Sequence, residues 1–87
     1  VLSDLTLSAI QAEATRAHLL HGQHSMLGRK TDDRRLAILT EEVGEVAQEL
    51  NDAQISGGTD RDKLVKELIQ VAAMAASWVE YLEGGPR

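Results

Sequence analysis

Two pairs of oxygen-bearing side chains, each three residues apart, are the parts of this sequence best able to do chemistry. The first is Glu42 and Glu45 within "LTEEVGEVAQEL", residues 39–50, a stretch that holds no lysine or arginine. The second is Glu67 and Gln70 within "KELIQVAAMA". At a three-residue spacing on a helix, both members of a pair lie on one face, one turn apart. Facing pairs would bring three carboxylates and one amide together. Without a counter-charge those carboxylates would repel and raise one another's pKa values. A hard divalent cation removes the repulsion, and an oxygen-only set suits Mg²⁺ or Mn²⁺ better than zinc.

A glutamate-rich helix is ordinarily a solvated face. Two features set this one apart. Leu36, Leu39, Val43, Val46 and Leu50 follow a three-four spacing that keeps them on one face. Glu42, Glu45 and Glu49 fall beside that seam, together with Ile38, while Glu41 lies further round. The second pair sits on a stretch that is apolar on two sides. Leu64, Leu68, Val71, Ala75, Trp78 and Leu82 form one face; Val65, Ile69, Ala72, Ala76 and Val79 form another. Only Lys63, Lys66, Glu67, Gln70 and Ser77 make a polar stripe.

The elements that must position these residues are helices. Proline is absent before Pro86, and most glycines fall in three clusters: Gly22 to Gly28, Gly57-Gly58 and Gly84-Gly85. No strand-like alternation occurs, so the reading is all-α. The first helix starts between residues 3 and 8, capped by Ser3, Thr6 or Ser8, and ends near His21. Ile10, Ala14, Ala17 and Leu20 or His21 make its thin apolar stripe. The second starts at a Thr31 or Asp32 cap and ends near Asn51. The third follows Thr59, where "TDRD" resembles a capping box, and ends near Leu82 before "EGGPR". Gly44 costs about 1 kcal/mol relative to alanine in a helix interior, which suggests close approach of another backbone. The connector after Asn51 is short, so the second and third helices are expected to be antiparallel neighbours. A helix apolar on two sides needs more cover than three helices provide. The expectation is therefore a small helical bundle with two long antiparallel helices, completed by oligomerisation to a homodimer or tetramer.

The totals narrow the function. A chain of 87 residues is one domain with a marginal core. It has no cysteine, which excludes a disulfide framework and a thiolate metal site and suits a cytoplasmic location. The net charge of −5 and the lack of a basic face argue against a nucleic acid polymer as partner. Trp78 and Tyr81 are the only aromatic residues, too few for an open stacking surface. No apolar run is long enough to span a membrane, and the N-terminus lacks the features of a signal peptide.

"EEVGEV" followed by "KELIQVAAMA" resembles the MazG-type all-α nucleoside triphosphate pyrophosphohydrolases, and the likeness covers about residues 16–82. "RAHLLHG" and the loop after it are similar to that family's first helix and turn. The family pattern is ExxE, a spacer, then ExxD, on two antiparallel helices that bind Mg²⁺. Glu42 and Glu45 match the first half. Glu67 matches the second, with Gln70 in place of the aspartate. The resemblance implies a single MazG-like domain over residues 1–87 that cleaves the α–β phosphoanhydride of a nucleoside triphosphate. The products would be a monophosphate and pyrophosphate. It implies Mg²⁺ or Mn²⁺ held by Glu42, Glu45, Glu67 and Gln70. Glu41, Glu42 and Glu45 would be the catalytic carboxylates, with Glu41 orienting a water or a second metal. Lys63, Lys66, Arg29, Lys30 and His21 are candidates to bind the substrate. Arg34 and Arg35 are read as exposed turns of the second helix or as further phosphate ligands. The alternative is a non-catalytic oligomeric helical nucleotide-binding or structural module with a degraded metal site. His18, His21 and His24 are three apart at the end of a helix, a poor fixed set for zinc but placed to contact a base or phosphate. Trp78 is expected in the core. Met26 and Leu27 either cover a pocket or anchor their loop.

Overall fold

A computed structural model describes residues 1–58 and 60–84. Its elements are α1 (Asp4–His21), a single 3-10 turn (Gly22–His24), α2 (Asp32–Ser56) and α3 (Arg61–Leu82), with no strand among the described residues. Each helix starts on a side-chain cap. Ser3 Oγ accepts from the Thr6 amide, Thr31 Oγ1 from the Arg34 amide and Asp60 Oδ1 from the Lys63 amide, each at 3.1 Å. Such caps satisfy backbone donors that no helix can satisfy itself. The cap expected at Thr59 falls outside the described residues, as do Gly85, Pro86 and Arg87. α2 runs five residues past the expected end at Asn51. Its apolar seam stops at Leu50, but nothing in "DAQIS" opposes a helix. It ends at Gly57, whose φ of +103° places it in the left-handed region. There the amides of Gly57 and Gly58 both donate to the Ala53 carbonyl.

α3 is the centre of the structure: α1 packs on one side of it and α2 on another, while α1 and α2 do not pack on each other. Asp32, at the start of α2, accepts a hydrogen bond from Trp78 Nε1 late in α3, at 2.9 Å. Glu49, late in α2, meets Lys63 early in α3. Val46 and Ala73 are buried between elements. The connector between α1 and α2 contributes Ser25, Met26 and Gly28 to the same interior.

The most completely buried side chain is Arg35, against the expectation that it sits on an exposed turn. It points inward because it shares the face of α2 that carries Leu39 and Val46 towards α3. Its guanidinium donates to three carbonyls of the connector: Nε to Met26 at 2.9 Å, Nη2 to Gly28 and Nη1 to Lys30 at 2.7 Å. It stands 3.5 Å from the centroid of the Tyr81 ring and 3.4 Å from Asp32 Oδ1. Arg35 thus wraps the connector around itself and clamps it between α2 and α3. Arg34 is exposed.

Two further expectations are corrected. Gly44 meets no close backbone within the chain: a Cβ added there finds nothing within 4 Å. The α2 seam is only partly buried, since Leu36, Val43 and Leu50 remain exposed while Val46 is covered. The radius of gyration, 14.1 Å, exceeds the roughly 12 Å of a compact chain of this length.

Candidate metal centre and adjoining cavity

α2 and α3 present their polar stripes to one open groove. Glu42, Glu45, Gln48, Glu49 and Asp52 of α2 line it, with Lys63, Glu67 and Gln70 of α3, around a volume of about 470 Å³. The groove therefore contains all four expected metal ligands and Lys63. Glu49 and Asp52 join them. Glu49 lies one heptad after Glu42, which already put it on the right stripe of the sequence.

The crowded carboxylates shift one another's pKa values. Glu42 is partly desolvated and hydrogen-bonded to Glu45. Burial first, and the charge of Glu45 next, push its carboxyl above the usual range. Glu67 is also raised, chiefly by its hydrogen bond to Glu49, and Glu49 is lowered by the same bond and by Lys63. Lys63 Nζ lies 2.5 Å from Glu49 Oε1 and is itself raised by that contact. Lys63 thus offsets part of the repulsion that a divalent cation would remove.

The donor chemistry fits a hard cation: the carboxylate oxygens of Glu42, Glu45 and Glu67 and the amide oxygen of Gln70 line one groove. The geometry is not a finished cage. Among the described residues, no three acidic or histidine side chains already stand close enough to hold an ion.

A cavity of about 260 Å³ adjoins the groove and shares Glu42 and Gln70 with it. Ala14 and Ala17 of α1, Met26 and Leu27 of the connector, Ile38 of α2 and Ala73 and Met74 of α3 supply apolar wall. Glu13, Arg16, His18, His21, His24, Ser25 and Ser77 supply polar atoms. Arg16 is held by Glu13, both carboxylate oxygens accepting from its Nε at 2.9 Å. His18 Nδ1 and Ser25 Oγ are 3.2 Å apart, tying the connector to α1. The sequence signalled this wall only through Met26, Leu27 and the histidines. The contribution of Ser25 depends on how Arg35 folds the connector.

Other expected site residues lie elsewhere. Glu41 is exposed and lines neither the groove nor the cavity, although its charge still bears on Glu42. Lys66 and Arg29 are exposed and line neither. Lys30 donates to the Ser25 carbonyl at 2.6 Å; burial, then Arg35 and Arg34, lower its pKa. His21 faces the cavity, not the groove. Trp78 is half-buried and its indole nitrogen is occupied by Asp32.

Compared with known proteins, the chain matches no family model, no curated relative and no solved structure.

Proposed function

We propose that this protein is a Mg²⁺- or Mn²⁺-dependent nucleoside triphosphate pyrophosphohydrolase, acting as a homo-oligomer built on the antiparallel α2–α3 pair. The observation that carries the reading is the single groove that unites Glu42, Glu45, Glu67 and Gln70, opening onto a cavity of mixed polarity. The resemblance of the two motifs to MazG-type enzymes supplies the reaction.

Glu42, Glu45, Glu67 and Gln70 would hold the cation, and Glu49 completes the acidic wall. A divalent cation bound there supplies the positive charge that draws phosphate oxygens and polarises the anhydride. Of the carboxylates, Glu45 is exposed in the groove and accessible to solvent. Glu45 would take a proton from the water that attacks the α-phosphorus, as pyrophosphate leaves from the far side. Glu42 and Gln70 stand at the mouth between groove and cavity. A triphosphate in the groove therefore directs its nucleoside towards Met26, Ile38 and Met74, with His18, Ser25 and Ser77 as polar contacts. Lys63 also lines the groove and would meet the phosphates.

A second reading rests on Gln70. Its amide offers an oxygen but no charge, and the ligands are not pre-assembled. A non-catalytic module that binds nucleotides through the same groove and cavity follows from that. Screening nucleoside triphosphates with Mg²⁺ or Mn²⁺ separates the two. Monophosphate and pyrophosphate as first products, lost in Glu67→Ala, support the enzyme. Nucleotide binding without turnover, with turnover gained in Gln70→Asp, supports the module. Orthophosphate as first product contradicts the α–β assignment.

A further inference from the structure

The acidic groove has two unlike ends. Glu42 and Gln70 belong both to the groove and to the cavity beside it. Glu49, Asp52 and Lys63 belong both to the groove and to a further depression of about 310 Å³ near the turn between α2 and α3, which Asp60 also lines. Along α3, the order from the cavity outwards is Gln70, Glu67, Lys63. Seven residues at about 1.5 Å each set Lys63 roughly 10 Å from Gln70 along the helix axis. Among the described residues that line the groove, Lys63 is the only cation, and its ammonium rests on Glu49.

We infer that Lys63 reads the length of the phosphate chain: it leaves Glu49 for the terminal phosphate of a nucleoside triphosphate, and so selects triphosphates over monophosphates. This rests on the nucleotide reading above and names the residue that sets its substrate class.

Position, charge and exposure each favour this role. A nucleoside in the cavity puts its α-phosphate at the Glu42–Gln70 end of the groove. Each further phosphate then runs towards Glu67 and on to Lys63, whereas a monophosphate stops short. Past Glu67 the walls hold Glu49, Asp52 and Asp60, which repel phosphate. Lys63 is the one group of that end which favours a longer chain. Lys66, the other lysine of α3, is exposed and lines neither space. The side chains of Lys63 and Glu49 are 59% and 35% exposed. An ion pair so open to water contributes little to stability, so giving it up costs little. A phosphate oxygen offers the same ammonium a charge-assisted hydrogen bond in its place.

Calorimetric titration of the full chain tests this, with Mn²⁺ present. The probes are the α,β-methylene analogues of the four common nucleoside triphosphates, which cannot be cleaved at the α–β position, and the matching monophosphates. At least one triphosphate analogue should bind the wild type more tightly than its monophosphate. Lys63→Met should weaken that analogue about tenfold, the low end for a hydrogen bond to a charged group, and leave the monophosphate within about twofold. Lys63→Arg should keep most of the preference. Glu49→Gln, which frees the ammonium, should tighten the triphosphate analogue, and this gain should vanish when Lys63→Met is added. Mn²⁺ titrated without nucleotide reads the metal centre by itself, and there Lys63→Met should bind at least as tightly as the wild type, because Lys63 is not a ligand. A wild type that binds Mn²⁺ and nucleotide but shows no triphosphate preference overturns the inference alone. So does a preference that survives Lys63→Met. A wild type that binds neither Mn²⁺ nor any probe overturns the nucleotide reading and the inference with it.

Discussion

Replacing Arg35 should cost more stability than any other single substitution of a charged residue in this chain. Its guanidinium satisfies the carbonyls of Met26, Gly28 and Lys30 from three different nitrogens or edges, and its side chain is wholly buried. Arg35→Ala strands those acceptors, each worth about 1–3 kcal/mol if it stays dry. It also removes a cation–π contact with Tyr81 worth about 1–2 kcal/mol. The connector can open and let water reach the carbonyls, which limits the total. The expected loss is therefore about 3–5 kcal/mol, the usual range for breaking a buried charged network. A chain of this length has about 4–13 kcal/mol in all. Arg35→Lys keeps the charge but offers a compact ammonium where a planar fork reaches three acceptors, so it should still lose about 2 kcal/mol. The assay is urea unfolding at one fixed protein concentration, read as a change in midpoint at constant m. Arg35→Ala within about 1 kcal/mol of the wild type, or Arg35→Lys equal to the wild type, would refute the clamp.

Three other outcomes follow from the groove and from α2. Glu42 binds its proton more tightly folded than unfolded, so its ionised form costs stability above the folded pKa, and the cost fades as pH falls through the acid range. Without metal, Glu42→Gln should melt higher than the wild type at pH 7, with the gap closing towards pH ~4; a lower melting temperature at pH 7 contradicts this. Gln70→Asp adds a charge at the groove and should tighten Mn²⁺ binding without nucleotide by about 1–2 kcal/mol in calorimetric titration; equal affinities would place residue 70 away from the ion. Gly44→Ala should raise unfolding stability by about 1 kcal/mol, because the added methyl meets nothing and the helix gains propensity; a loss would mean that another copy approaches α2 there.

The helical architecture and the groove were legible for the same reason: both follow from spacing along single helices. Gly22, Gly57 and the capping residues mark the ends of elements. The three-residue pairs on α2 and α3 needed only neighbouring helices to meet. The cavity was less legible because a folded connector builds one wall. That fold hangs on Arg35, and a sequence pattern treats an arginine in an apolar stripe as a surface residue. The clue was its place, four residues before Leu39 and eleven before Val46. The exposed half of the α2 seam was also hidden. A three-four apolar spacing marks a face that wants cover but not whether its own chain supplies it, and here α3 covers Val46 and leaves Val43 open. Gly44 was misread for a related reason, since a helical glycine records only the absence of a side chain.

The claim that the groove is a divalent-cation site is tested most directly by calorimetric titration of Mn²⁺ into the wild type, Glu42→Gln and Glu67→Gln, with thermal melting alongside. One ion per chain should bind to the wild type and raise its melting temperature, since a ligand of the folded state alone must stabilise it. Both glutamine variants should lose most of the heat and the gain in stability. No binding to the wild type, or binding that survives both substitutions, would contradict the account.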